Sequence, residues 1–195
     1  MVFNNKVRET NMKQAGMSLI ELMVTLTVLA IGLAAAVPSF QGTMKRNNID
    51  GALEEFSSAI KFARSEAISQ SAAVSICASS NQTACTGDWH DGWIIFTDAD
   101  TSGTLDAGDT LVRVHEAIKS GYTLSFDNAT PNSVTFLSRG FTNNQMGAFS
   151  LCGPDDDDLF ARGLILQRTG SLRFAVDGVD TDAIREDANG DNFNC

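Results

Sequence analysis

The stretch "DADTSGTLDAGD", residues 98–109, carries the most suggestive chemical spacing in the chain. Asp98, Asp100, Ser102, Asp106 and Asp109 fall at positions 1, 3, 5, 9 and 12 of a calcium-loop template. Gly103 stands at the sixth position, where such loops turn sharply, and Thr104 would add a backbone carbonyl at the seventh. Calcium takes six to eight oxygens, and this segment offers four carboxylates, a hydroxyl and that carbonyl. Two features set it apart from an EF-hand: the twelfth residue is the shorter Asp, and strand-like runs flank it where helices should stand. The expectation is therefore a weak calcium loop of the millimolar, extracellular kind, or an acidic turn that simply solvates.

Other chemistry is sparse. The chain has two histidines, His90 and His115, and no Cys-x-x-Cys pair, so a structural zinc site or a Ser-His-Asp machine has little material. No arrangement of residues calls for catalysis. Trp89 and Trp93 flank "HDG" and are expected to pack in a core beside a turn in preference to forming a ligand platform. The four aspartates at 155–158 form a like-charge run expected to solvate. Net charge is −10 over 195 residues. Residues 1–16 hold Lys6, Arg8 and Lys13 against Glu9, a local +2 that leaves about −12 for the rest. An acidic body is a poor match for nucleic acid or an anionic membrane surface.

Behind those groups stands a long apolar segment. From Met17 to Val37 there are 21 residues with a single charge, Glu21. As a helix they would reach about 31 Å, close to the bilayer core. The basic residues come first, so residues 39–195 should be exported across an inner membrane, leaving a single-pass anchor. A cleaved signal peptide ending near "AAAVP" and a plain signal anchor are the competing readings. Neither accounts for Glu21, since a charge at membrane depth costs about 2.5–3.5 kcal/mol on insertion scales.

The residues around Glu21, "GMSLIEL", resemble the prepilin cleavage motif of type IV pilins and type II secretion pseudopilins. The resemblance implies cleavage by prepilin peptidase between Gly16 and Met17 and methylation of the new N-terminus. Pro38 matches the family's helix-kinking proline, and Met17 departs from the Phe most frequent there. It further implies that Glu21 meets the free amine of a neighbouring subunit, so that a carboxylate costly alone is satisfied on assembly. Met12 is an alternative start that would shorten the leader.

Beyond the apolar run, Ile49, Leu53, Phe56, Ile60, Ala63 and Ala67 recur at helical spacing, with Glu54, Glu55, Lys61, Arg64 and Glu66 off the stripe. One long helix over about 18–70 is predicted, bent at Pro38 and Gly42. After residue 70 the pattern turns to short runs with turn punctuation. Strands are predicted at 73–78, 92–98, 110–118, 122–127, 133–138, 148–152, 163–168 and 171–176, with "RTGS" as a tight hairpin turn. The fold class is α+β: a long N-terminal helix packed on an antiparallel β domain. The organisation is leader 1–16, transmembrane helix 17–38, amphipathic continuation 39–71 and exported β domain 72–195. Cys77, Cys85, Cys152 and Cys195 allow three pairings in an oxidising compartment. Proximity in sequence favours Cys77–Cys85, and the position of Cys195 at the chain end favours Cys152–Cys195, a closure worth roughly 4 kcal/mol in the chain-entropy model.

This order, with "SEA" after the helix, a Cys in the first strand, "WHDGWIIFTD" and "ARGLILQRTGSLR", resembles the GspH/FimT/FimU group of pilin-like proteins. The implied function is structural: a minor pilin or pseudopilin that helps initiate or cap a filament, with other minor and major pilins as partners and the periplasm as its setting. The type II secretion system and DNA reception are the alternatives. Some FimT relatives bind DNA through "GRxR"; here the corresponding stretch is Gly170-Ser171-Leu172-Arg173, which lacks the first Arg and leaves Arg168 and Arg173 as the candidate DNA contacts, among acids.

Overall fold

The computed structural model describes residues 16–195 except 128–131, 155–159, 177–190, 192 and 194, and of 35–39 only the backbone. The leader residues 1–15, the aspartates at 155–158 and most of the acidic tail lie outside the described residues. The chain divides into two compact units, Met1–Gly42 and Thr43–Cys195.

One helix, α1 (Leu19–Gln70), runs as a single 52-residue element. In the first unit its described side chains are those of an apolar surface, with Leu19, Ile20, Leu29 and Ile31 all exposed. Thr25 and Thr27 turn their hydroxyls back onto the carbonyls of Leu22 and Met23, so the segment offers fewer polar groups than its sequence suggests. Among the described residues no helix is long and apolar enough to cross a membrane. Of the apolar run, the side chains from Met17 to Ala34 are described and those of 35–39 fall outside.

In the second unit the stripe of α1 is its core face. Ile49, Leu53, Phe56, Ile60, Ala63 and Ala67 are all essentially inaccessible. The helix stops where Ser71 takes a left-handed conformation, φ 52°. There Ala72 N–H reaches back to the Ala67 carbonyl and Ser71 N–H to that of Ile68, the paired bonds of a helix C-terminal cap.

Eight strands follow: β1 (Val74–Ala78), β2 (Trp93–Thr97), β3 (Thr110–His115), β4 (Thr123–Phe126), β5 (Ser133–Phe136), β6 (Gly147–Cys152), β7 (Arg162–Leu166) and β8 (Leu172–Phe174). They form two four-stranded antiparallel sheets, ordered β3-β2-β1-β5 and β4-β6-β7-β8. Each predicted strand is present. The third is shorter than expected, because after His115 the chain turns so that Ile118 N–H bonds the His90 carbonyl.

The helix and the two sheets share one core. Phe56 meets Trp89, Trp93 and Phe149 edge-on, at centroid distances of 5.4, 5.1 and 4.8 Å. Such pairs add about 0.5–1.5 kcal/mol beyond area burial. Behind the second sheet a smaller cluster of Ala148, Ala161, Ile165, Ala175 and Phe193 gathers, with Cys195 packed on it. A third, on the outer face of the first sheet, holds Cys77, Ile94 and Phe96, with Cys85 and Leu105 against it. Cys77 is bonded to Cys85 and Cys152 to Cys195.

Candidate functional site

The cleavage motif lies in an accessible place. Gly16, Met17 and Ser18 are exposed and precede the helix, and nothing approaches within 4 Å of where a Cβ on Gly16 would stand. Glu21 sits in the first turn of α1, where the free N–H groups and the helix dipole favour a carboxylate. It is exposed among exposed apolar side chains, so any neutralising partner must come from outside the described chain surface around it.

The acidic loop is built differently from a row of solvated side chains. Asp98 is fully buried. One carboxylate oxygen accepts Ser102 N–H at 2.9 Å. The other accepts Gly103 N–H at 2.9 Å, the Ser75 hydroxyl at 2.5 Å and the Thr135 hydroxyl at 3.4 Å. Ser75 and Thr135 face each other on β1 and β5 at 2.6 Å. Asp98 thus joins the loop to the middle of the first sheet. Asp100 accepts Ser102 N–H, and that bond is the main cause holding its carboxyl below the usual carboxylate range. Ser102 Oγ reaches the Thr104 carbonyl and Asp106. Asp109 closes the loop by accepting Ala99 N–H and Asp106 N–H. Gly103, at φ +74°, makes the sharp turn expected of the sixth position. These contacts give each of the four carboxylates at least one protein donor. Among the described residues, the one convergent group of three ligand-type side chains is a different one, Asp88, His90 and Asp91.

Those three lie on the 3-10 turn Trp89–Asp91 and its flank, where Asp91 caps the turn by accepting Asp88 N–H at 3.2 Å. Trp89 and Trp93 are core residues, each about 1% exposed. Trp93 also stacks on His115 at 3.9 Å, and His115 meets Glu55 of α1 at 2.8 Å.

Arg168 and Arg173 are both exposed. Arg173 pairs with Ile165 across β7 and β8, and Ile165 belongs to the cluster behind the sheet. By strand alternation Arg173 therefore faces away from α1, whereas Leu172 and Phe174 face towards it. Arg162 is paired with Asp50 at 2.9 Å.

Sequence reasoning missed Arg64. From α1 its guanidinium donates to the carbonyls of Gly140, at 2.9 Å, and Thr169, at 3.1 Å. It clamps two turns that touch at Gly140 and Gly170, where a Cβ on Gly170 would collide with the Gly140 carbonyl. The available signal was a cation beside the helix stripe and two turn glycines; their partnership is non-local.

The family described as "Type II transport protein GspH" matches residues 52–170, and the prokaryotic N-terminal methylation motif matches residues 11–37. Among solved structures, the chain is similar to the type IV minor pilin FimU of Pseudomonas aeruginosa in two crystal forms. In one it is 27% identical, covers 66% of this chain and 89% of FimU, and has a TM-score of 0.54. In the other it is 26% identical, covers 65% and 91%, and has a TM-score of 0.52. The minor pseudopilin EpsH of the Vibrio cholerae type 2 secretion system is 14% identical, covering 65% of this chain and 95% of EpsH, with a TM-score of 0.47. Among curated proteins no relative matches the chain. With its helix, two antiparallel sheets and methylation motif, the chain is a pilin-like protein that belongs to the GspH family of minor pilins and pseudopilins.

Proposed function

We propose that this chain is a minor pilin of a type IV pilus, a low-copy structural subunit that initiates or caps the filament. The observation that carries the reading is the likeness to FimU, described as a type IV minor pilin, over about two thirds of the chain. On this reading prepilin peptidase cuts between Gly16 and Met17, and the new N-terminus is methylated. The apolar part of α1 anchors the precursor in the inner membrane with residues 39–195 in the periplasm. Other minor and major pilins then pack against that helix, and Glu21 finds its partner in a neighbour's terminal amine. The family match favours a second reading, a pseudopilin of type II secretion. Fractionation separates them. Sheared surface pili from cells carrying a tagged chain should contain it at low abundance, and its deletion should reduce piliation while leaving secretion intact. A secretion defect with normal pili would replace the first reading by the second.

A further inference from the structure

We propose that the Cys77–Cys85 bond is a redox-dependent clamp on the acidic loop 98–109, so that the surface this loop presents exists in the oxidised protein and is lost on reduction. The loop is held at two points. At its start the Asp98 carboxylate is fixed by Ser75 and Thr135 within the first sheet. At its middle it rests on the disulfide. Cys85 Sγ lies 3.7 Å from the Gly103 carbonyl, and Cys85 and Leu105 together pack on the buried outer cluster of Cys77, Ile94 and Phe96.

The segment carrying Cys85 has its own scaffold. Ser79 Oγ donates to the Ala84 carbonyl, and Asn81 accepts the N–H groups of Thr83 and Ala84. Within this scaffold Cys85 touches the acidic loop and is covalently tied to the sheet, through Cys77 of β1. Opening the bond frees Cys85 from β1 and loosens one of the two groups, Cys85 and Leu105, that pack on that cluster. Apart from the buried bonds of Asp98, the remaining loop contacts are hydrogen bonds among exposed groups, which compete with water.

The chemistry is thiol–disulfide exchange with a dithiol reductant. A reductant thiolate attacks Cys85 Sγ, the half-buried sulfur, and Cys77 leaves as a thiolate that takes up a proton. The reductant's second thiol then closes its own disulfide and releases Cys85 as a thiol. Two electrons and two protons pass to the protein. Because Cys77 is fully buried in apolar surroundings, its thiolate is a poor leaving group, and reduction should be slow.

The test is hydrogen exchange of the full chain in detergent micelles, comparing the wild type with Cys77→Ala/Cys85→Ala. The peptide covering 99–109 should exchange at least about tenfold faster in the variant, while the β7 peptide at Arg162–Leu166 stays unchanged. Unchanged exchange of the loop would overturn the proposal. If both peptides accelerate, Leu105→Ala with the bond intact decides: acceleration confined to the loop supports the clamp, and no acceleration overturns it.

Discussion

Replacing Asp98 by Ala isolates what the buried carboxylate does. It removes the acceptor for four protein donors, of which the Gly103 amide and the Ser75 and Thr135 hydroxyls are buried. Ser102 N–H is exposed and can turn to water or to Asp100. Ser75 and Thr135 keep one bond between themselves. The loss is therefore dominated by the Gly103 donor and one hydroxyl left without an acceptor, each costing about 1–3 kcal/mol. A net loss of about 3 kcal/mol is expected, or roughly 6–12 °C in melting temperature for a domain of this size. The assay is denaturant unfolding of the full chain in micelles, followed by the fluorescence of buried Trp89 and Trp93, with a chelator present so that no divalent cation contributes. A loss below about 1 kcal/mol would refute the anchoring role, since it would mean the four donors re-pair without the carboxylate.

Phe56→Ala, which empties the space between three edge-on rings, should destabilise by about 3–5 kcal/mol in the same assay, and a change under about 1.5 kcal/mol would refute the shared core. The loop holds its turn on protein donors, so calcium at several millimolar should leave the melting temperature unchanged; a rise of about 3 °C, lost in Asp100→Ala, would mark a millimolar calcium site instead. In a gel-shift assay at physiological salt the protein should bind DNA weakly or not at all, and tight, steeply salt-dependent binding abolished by Arg168→Ala/Arg173→Ala would contradict the expectation from its net charge of −10.

The helix was legible because its apolar stripe keeps one period from Ile49 to Ala67 and α1 ends at Gln70, where the stripe ends. The strands were legible from local alternation and turn residues. The sheet order was not: β5 crosses to pair with β1, while β6 pairs with β4 and β7, and such partnerships carry no local signal. Asp98 shows the same limit. As sequence it begins an acidic turn and looks exposed; its burial depends on two hydroxyls, Ser75 and Thr135, that are 23 and 37 residues away. Arg64 looked like an off-stripe surface cation, and its role depends on carbonyls 76 and 105 residues distant.

The central claim, that this chain is a processed pilin-like subunit, is tested most directly at its N-terminus. The intact mass of the protein extracted from membranes should correspond to a chain that begins at Met17 and carries one added methyl, and a strain lacking prepilin peptidase should accumulate the uncleaved form. A mature protein that begins near Pro38 and is recovered free in the periplasm would contradict the account.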